Sequence, residues 1–331
     1  MNKTLNTMPN SGANTDKDSP CQRLRVVFFG NERIATGTET SCPTLQKLIT
    51  ASYDVAAVVI SEDVVGKSRK KRPLEITDLA ALHEIPVFNP RNLTDITTQL
   101  KNYSADIGIL VAYGKLVPQE IIDLFPSGIV NIHPSLLPLH RGSTPIESVI
   151  LGNEVQTGVS LMALAKEMDA GHIYAYSQVV LDGTEQKQAL ADDLLELGSE
   201  MLIATLPRIV SGDITGMPQD DLGATYDKRI EKKDGLINLS KAAVQLEREV
   251  RAYSGWPGSR TVIANKDVVI TAAHVADNTL HNVDKKTIFI ANKQLCLQTA
   301  DDILVIDALK PAGKPAMPAS AFLAGYKQFL D

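Results

Sequence analysis

Residues 128–142 read Gly-Ile-Val-Asn-Ile-His-Pro-Ser-Leu-Leu-Pro-Leu-His-Arg-Gly, and this stretch decides the predicted fold. Its apolar beginning predicts the end of a buried strand, in which side chains alternate between the two faces of a sheet. Asn131 and His133 therefore share one face. Pro134 and Pro138 lack the N–H group that a sheet ladder needs, so a rigid loop is predicted to follow. A carboxamide and an imidazole side by side where a strand ends are typical of an active site.

The first two thirds of the chain alternate between strand and helix patterns. This alternation predicts an α/β fold with a Rossmann-like, mainly parallel sheet and helices on both faces, whose ligands gather at the carboxyl ends of the strands. Gly30 and Gly37 do not form G-x-G-x-x-G, which argues against dinucleotide binding. The predicted strands are 24–29, 54–60, 86–88, 105–111, 128–133, 158–164 and a run ending at 180, and the predicted helices are 43–49, 77–83, 119–124, 145–151 and 190–209.

The pattern changes in the last part of the chain, where short strands and turn signals predict a small β-barrel. A chain of 331 residues is long enough for two domains of roughly 150 residues each. The predicted organisation is a flexible tail at 1–22, an α/β domain at 23–215, a linker at 216–225 and a β domain at 226–331.

Composition indicates a globular protein without a membrane span. Hydrophobic residues make up 44% and charged residues 22%, an ordinary balance for packed domains. The sequence contains neither a run of roughly 18 apolar residues nor the apolar core of a signal peptide. Cys21, Cys42 and Cys296 are far apart and odd in number, which fits neither a disulfide framework nor a zinc site. We therefore expect a cytoplasmic location.

Charge is distributed unevenly along the chain. The net charge of −6 combines +3 over residues 224–331 with −9 before them. This asymmetry indicates either a polyanionic partner for the second part or a chance fluctuation. A basic run is either a solvated loop or a finger that binds nucleic-acid phosphates. The chain has one such run, with five cations in six residues: Lys67, Arg69, Lys70, Lys71 and Arg72.

The residues around His133 suggest a transfer reaction. A catalytic imidazole needs a partner that fixes its tautomer, and Asp169, on a turn after a strand, is the best candidate. Asn131 can donate an N–H to a developing oxyanion. Ser135 lacks the G-x-S-x-G elbow of a nucleophile, so the set suggests acyl-type transfer directly between two bound substrates. The alternative is a hydrogen-bonded core pair. Five other histidines lack a comparable setting: His83, His140, His172, His274 and His281.

These motifs resemble the signature of the formyltetrahydrofolate-dependent formyltransferases. The matching residues are the stretch 131–138, then Arg141-Gly142 and Asp169-Ala170-Gly171. The chain is also similar to the members of this family that act on methionyl-tRNA, over roughly residues 24 to 328. That similarity is carried by residues 112–114, 158–162, 226–230, 245–248, 251–253, 256–257 and 309–314.

The resemblance implies that the α-amine of methionine, esterified to initiator tRNA, attacks the formyl carbon of the co-substrate 10-formyltetrahydrofolate. Asn131 and protonated His133 would stabilise the oxyanion, and Asp169 would support His133 and assist removal of the amine proton. The basic run would reach the tRNA acceptor end, and the second domain would be an OB-like barrel that supports the tRNA. No metal is implied, and we expect a monomer. The loop expected to lie along the folate is Ser135, Leu136, Leu137 and Pro138.

The sequence also departs from the family pattern, and two alternatives stay open. Asn31-Glu32 replace the usual Thr-Pro after the first strand, and residues 31–43 are longer than usual. Leu139 and His140 replace a frequent basic-aromatic pair. The alternatives are a formyltransferase for a nucleotide-linked amino sugar and, less favoured, a non-catalytic RNA-binding relative. The basic run favours tRNA over a sugar nucleotide, and the intact Asn131, His133 and Asp169 favour an enzyme.

Overall fold

The computed structural model describes residues 3–6, 23–61, 75–277, 280, 286–326 and 328. The predicted basic run 67–72 lies outside these residues, as does most of the predicted tail 1–22. The described chain divides into two compact units. The first unit is Met1–Pro145, Gln156–Leu181 and Leu190–Lys228, and the second is Ile146–Val155, Asp182–Ala189 and Arg229–Asp331.

An eight-stranded sheet forms the first unit. Its strands are β1 (Lys3–Asn6), β2 (Arg25–Gly30), β3 (Asp54–Val59), β4 (Val87–Phe88), β5 (Ile107–Val111), β6 (Ile129–His133), β7 (Gln156–Ala163) and β8 (Ile173–Val180). The spatial order is β1-β8-β7-β6-β5-β2-β3-β4. Strands β2 to β6 pair in parallel, whereas β7, β8 and β1 continue the sheet in antiparallel fashion. The predicted Rossmann-like, mainly parallel sheet is confirmed. The carboxyl ends of strands β5 and β6 lie on the side of β2 where the strand order reverses.

Sheet burial explains why the strands read as continuous apolar runs. Val26, Val27, Phe28 and Phe29 of β2 are all fully buried, as expected for a strand covered on both faces. The helices are α1 (Pro43–Thr50), α2 (Glu75–Leu82), α3 (Thr97–Asn102), α4 (Gln119–Ile122), α5 (Pro145–Gly152) and α6 (Lys187–Val210). After Pro145, α5 belongs to the second unit, and so do the first three residues of α6.

Packing of α6 fixes which way β6 faces. A Cβ added to Gly198 of α6 would lie 2.5 Å from Cγ2 of Ile132, so this glycine lets the helix approach the strand closely. Ile132 therefore faces α6. Because neighbouring side chains on a strand point to opposite faces, Asn131 and His133 face away from that helix.

The second unit is built on an antiparallel sheet. Its elements are α7 (Ala243–Ala252), β9 (Ser259–Ile263), β10 (Lys266–Val275), β11 (Ile288–Ala291), β12 (Gln294–Gln298), β13 (Ile303–Pro311), β14 (Met317–Pro318) and α8 (Ala319–Tyr326). The order is β11-β12-β13-β10-β9, with β14 beside β13. Leu246 of α7 and Phe322 of α8 are fully buried with the apolar side chains of the sheet. This architecture agrees with the predicted small OB-like domain.

A buried lysine lies in the core of the second unit. Nζ of Lys187 donates to the carbonyl oxygen of Trp256 at 3.0 Å and lies 3.7 Å from Oε1 of Glu147. The side chains of Lys187 and Glu147 are 1% and 0% exposed. Burial lowers the pKa of Lys187 to about 8, although Glu147 opposes this shift.

Four elements were not predicted from the sequence: β1, α3, β14 and α8. Strand β1 lies within the predicted tail and pairs with β8. Strands β1 and β14 contain four and two residues and α3 contains six, too few for a clear periodic pattern.

Candidate functional site

Strand β6 positions the first two candidate residues. Asn131 pairs with Met162 of β7 and His133 pairs with Ser160, so the backbone of both is held by the sheet. Asn131 is 6% exposed and His133 is 4% exposed. Within the part of the chain that the structure describes, no side-chain hydrogen bond engages the carboxamide of Asn131. The carboxamide is thus buried beside an imidazole and available to a ligand.

The imidazole of His133 has a defined tautomer. Its Nε2 atom lies 2.9 Å from the carbonyl oxygen of His140. A carbonyl oxygen can only accept a hydrogen bond, so Nε2 carries the proton and donates. The other ring nitrogen, Nδ1, lies 3.9 Å from Oδ2 of Asp169. Nδ1 is therefore the ring nitrogen that faces a carboxylate.

Asp169 occupies a constrained turn between β7 and β8. Its φ angle of +49° lies in the left-handed region, where residues other than glycine are uncommon. A Cβ at Gly171 would lie 1.7 Å from the carbonyl oxygen of Ala163, so only glycine allows the turn to approach the strand so closely. The amide N–H of Gly142 donates to Oδ2 of Asp169 at 2.8 Å. One carboxylate oxygen thus faces both the imidazole and a backbone donor.

The predicted folate loop, residues 135–138, is held by internal hydrogen bonds. The hydroxyl of Ser135 donates to the carbonyl oxygen of Leu139 at 2.7 Å. The carbonyl oxygen of Ser135 accepts from the hydroxyl of Ser160 at 2.8 Å. The same Ser160 hydroxyl accepts from the amide of Leu137 at 3.1 Å. Ser135 is fully buried and Leu137 is 8% exposed, whereas Leu136 and Pro138 are half-buried. The Ser135 hydroxyl therefore shapes the loop, and its apolar neighbours provide the more accessible surface.

Residues that sequence reasoning did not select surround this site. Arg141 is 2% exposed, and its guanidinium donates to Gln219, Asp221 and Tyr226 at 2.8 to 3.1 Å. The amide of Gln219 in turn donates to the carbonyl oxygens of Asp169 at 2.8 Å and Gly171 at 2.7 Å. Gln219 and Asp221 belong to the segment 216–225 that was predicted as a linker. The only sign in the sequence that these residues belong to the site was that Arg141 lies within the matched motif.

His140 also differs from its prediction. The expectation that it lacks a carboxylate partner was wrong, because Nδ1 of His140 lies 3.0 Å from Oδ1 of Asp227. The amide of His140 donates to the hydroxyl of Thr225 at 2.8 Å. Asp227 lies 87 positions beyond His140 in the sequence, and short-range spacing carries no information about such a contact. His274, another histidine in that group, lies 2.9 Å from Asp307 on the surface of the second unit.

The unusual segment after β2 contains a buried acid. Glu32 is 1% exposed, and its carboxylate accepts the amides of Thr44 at 2.8 Å and Leu45 at 2.9 Å in the first turn of α1. Its φ angle is +59°. Burial raises the pKa of Glu32 to about 7, although the two amides oppose this shift. A distant carboxylate therefore caps α1, a role that its position in the sequence does not indicate.

Two features are absent from the residues that the structure describes. Among the described residues, no group of three or more His, Cys, Asp and Glu side chains could hold a metal ion. No helix in the same part of the chain is long and apolar enough to cross a membrane.

The second unit contains a cleft of about 450 Å³ on its sheet. Arg260 and Lys310 line it together with Asp267, Val262 and Pro311. Within the described residues, the buried Nε of Arg260 has no hydrogen-bond partner.

Comparison with known proteins covers both units. The family described as formyl transferase matches residues 24–206, and its C-terminal domain matches residues 229–327. A methionyl-tRNA formyltransferase from Chloroflexus aurantiacus is 35% identical over 306 residues, covering 91% of this chain and 97% of the relative. One from Roseiflexus castenholzii is 33% identical over 308 residues, covering 92% and 96%.

Solved structures share the fold at lower identity. The sugar 3N-formyl transferase WlaRD has a TM-score of 0.62 at 17% identity, covering 89% of this chain and all of its own. HypX from Aquifex aeolicus, in complex with tetrahydrofolic acid, has a TM-score of 0.61 at 18% identity, covering 92% of this chain and 48% of its own. The sequence matches span both units and include relatives at least 33% identical over more than 90% of the chain. The chain therefore belongs to the formyl transferase family.

Proposed function

We propose that this chain transfers the formyl group of 10-formyltetrahydrofolate to the α-amino group of methionyl-initiator tRNA. The observation that carries the proposal is the convergence of three side chains at the end of β6. Nδ1 of His133 faces Asp169 at 3.9 Å, and Asn131 presents its carboxamide from the same face of the strand. The similarity to methionyl-tRNA formyltransferases along almost the whole chain supports the choice of acceptor.

The donor set fits a carbonyl group whose oxygen becomes negative. 10-Formyltetrahydrofolate supplies an activated one-carbon amide. A carbon–nitrogen bond forms between the methionine α-amine and the formyl carbon, the bond from that carbon to the folate nitrogen breaks, and the proton lost by the amine balances the one gained by the folate nitrogen. Asn131 and His133 donate hydrogen bonds to the formyl oxygen, which stabilises its negative charge in the transition state.

Asp169 has two roles in this scheme. Its carboxylate faces Nδ1 of His133 at 3.9 Å and would orient the imidazole during the reaction. It also provides a carboxylate that can assist removal of the amine proton. The amide of Gly142 holds the carboxylate oxygen that faces the ring. In this proposal the folate lies along the loop formed by Ser135, Leu136, Leu137 and Pro138. Ser135 is buried and holds the shape of this loop through its hydroxyl.

Positive charge supports a nucleic-acid acceptor. The basic run of Lys67, Arg69, Lys70, Lys71 and Arg72 would contact phosphates of the tRNA acceptor end, where affinity depends on salt. In the second unit, Arg260 and Lys310 face a cleft and add donors suited to a phosphate backbone. We infer further that the protein acts in the cytoplasm as a monomer, with domain boundaries near residues 23, 216 and 226.

A direct assay separates this function from its alternatives. Purified protein is incubated with 10-formyltetrahydrofolate and either methionyl-tRNA or a nucleotide-linked amino sugar. We expect formylation of methionyl-tRNA only. Formylation of the sugar alone would assign the chain to the amino-sugar enzymes, and tRNA binding without formylation of either acceptor would assign it to the non-catalytic relatives.

A further inference from the structure

A single carboxamide connects the two halves of the site. Oε1 of Gln219 accepts from Nε of Arg141 at 3.1 Å and from Nη2 at 2.9 Å. Its Nε2 donates to the carbonyl oxygens of Asp169 at 2.8 Å and Gly171 at 2.7 Å. All four hydrogen bonds join residues of the first unit. Gln219 thus has both its oxygen and its nitrogen fully engaged by groups that flank the site.

Each group that Gln219 holds is adjacent to a contact of the proposed reaction. Arg141 lies between His140, whose carbonyl oxygen accepts from His133, and Gly142, whose amide donates to the Asp169 carboxylate. On the other side, Gln219 fixes the carbonyl oxygen of Asp169 itself. Asp169 has a left-handed φ of +49°, a conformation that needs external support for a residue other than glycine.

The backbone around Gln219 reinforces the same connection. The amide of Arg141 donates to the carbonyl oxygen of Thr225 at 2.9 Å, and the amide of Asp227 donates to the carbonyl oxygen of Arg141 at 2.9 Å. Arg141 is therefore held from both ends by the segment 219–227. This segment is a strap across the loop that carries the site.

We propose that Gln219 is a positioning residue that sets the distance between Asp169 and His133. This inference rests on the proposed function of those two residues. Because the carboxamide holds the Asp169 turn on one side and Arg141 on the other, it couples the carboxylate to the ring without touching a substrate. The electrostatic interaction between the carboxylate and the ring across 3.9 Å is sensitive to small shifts, since it falls with distance.

Two substitutions separate this role from simple support of Arg141. Gln219→Met keeps the shape and removes all four hydrogen bonds, whereas Gln219→Glu keeps an acceptor for Arg141 and loses the donor to Asp169. We expect both variants to lower kcat about tenfold or more while the KM for 10-formyltetrahydrofolate changes less than about threefold, as expected for a contact made in the transition state. The same substitutions at Gln178, a half-buried glutamine whose Nε2 donates to Oε1 of Gln156 at 2.7 Å, serve as matched controls and should leave kcat unchanged.

A double-mutant cycle tests whether Gln219 acts through Asp169. In an Asp169→Asn background, Gln219→Met should change kcat less than about twofold, because residues in one network are not additive. A full additional loss in that background would overturn the proposal. A wild-type kcat in either Gln219 variant would also overturn it, and so would a kcat that recovers in Gln219→Glu alone. Failure of both variants to fold would overturn it as well.

An NMR measurement keeps this inference separate from the proposed reaction. In protein carrying ¹⁵N-labelled histidine, the Nδ1 signal of His133 should shift in both Gln219 variants while the Nε2–H signal persists. An unchanged Nδ1 signal would overturn the positioning role whatever the enzyme does. Failure of the wild-type protein to formylate methionyl-tRNA, with the NMR shift intact, would overturn only the proposed function.

Discussion

Nε2 of His133 donates to the carbonyl oxygen of His140 at 2.9 Å, which leaves Nδ1 as the ring nitrogen nearest the carboxylate of Asp169. The tautomer of the ring is thus set by the loop that follows β6. The carboxylate that faces Nδ1 is fixed by the next part of the same loop, through the amide of Gly142. One short loop therefore orients both the imidazole and its partner, and this arrangement gives the first two predictions.

Removal of either proposed oxyanion donor should abolish most activity without weakening tRNA binding. We expect His133→Ala and Asn131→Ala each to lower kcat for methionyl-tRNA formylation about a hundredfold or more, the usual cost of losing such a donor. Steady-state kinetics and a tRNA-binding titration measure the two effects separately. His83→Ala is the control, since His83 is exposed. A loss of tRNA affinity comparable to the loss of kcat would reassign these residues to binding.

Substitution of Gly142 should disturb the carboxylate of Asp169. Its φ is +119°, and an added Cβ would lie 3.2 Å from the carbonyl oxygen of Asp227. We expect Gly142→Ala to lower kcat about tenfold, because the shifted amide no longer holds Asp169. Gly212→Ala is a matched control: Gly212 has φ +80° and open space around it, so the change should cost about 1 kcal/mol of stability and leave kcat unchanged. Equal effects of the two variants on kcat would contradict this explanation.

The extent to which sequence predicted this site depends on distance along the chain. Asn131 and His133 are two positions apart on a strand, and strand periodicity placed them on one face. Asp169 followed from the need of an imidazole for a partner, together with a resemblance to known motifs. The pairing of His140 with Asp227 and the contacts of Gln219 join parts of the chain more than 40 positions apart. Neither periodicity nor composition carries information about such contacts, so residues 219–225 of the strap were predicted as a linker and residues 226–227 as the start of the second domain.

The basic run should set the affinity for tRNA. We expect replacement of Arg69, Lys70 and Lys71 by glutamine to raise the KM for methionyl-tRNA and to flatten its dependence on salt, since each lost phosphate contact lowers the salt slope by roughly one. The KM for 10-formyltetrahydrofolate should not change. The control replaces Lys101, Lys166 and Lys293, three exposed cations in other parts of the chain. Full activity of the triple variant at physiological salt would remove this run from the tRNA site.

Glu32 should make stability fall as pH rises. Its pKa in the folded protein is about 7, above its ordinary value of 4.5, because burial disfavours the charged form. The folded state therefore holds a proton that the unfolded state releases between pH 4.5 and 7, and its stabilising effect is lost as pH rises through 7. The expected loss is on the order of 3 kcal/mol at most.

Urea unfolding of Glu32→Gln at pH 5 and pH 8 tests this linkage. At pH 5 the variant should be less stable than wild type by about 1 kcal/mol, because its amide nitrogen cannot accept from α1. At pH 8 the difference should shrink or reverse. Glu200→Gln, a change at an exposed position of α6, should show the pH dependence of wild type. If Glu32→Gln had the same dependence of stability on pH as wild type, another group would be responsible for it.

The buried pair of Lys187 and Glu147 should contribute to stability only as a pair. We expect Lys187→Met to lower the free energy of unfolding by about 3 kcal/mol, because it leaves a carboxylate in the core without its cation. The double variant Lys187→Met/Glu147→Leu should recover most of that loss, since both charges are then replaced by apolar groups of similar size.

Urea unfolding of the two single variants and the double variant gives the coupling energy. Because the pair lies in the second unit and the site in the first, kcat should stay at the wild-type value in all three. An additive loss in the double variant would show that the lysine acts through its bond to Trp256 and not through the acid.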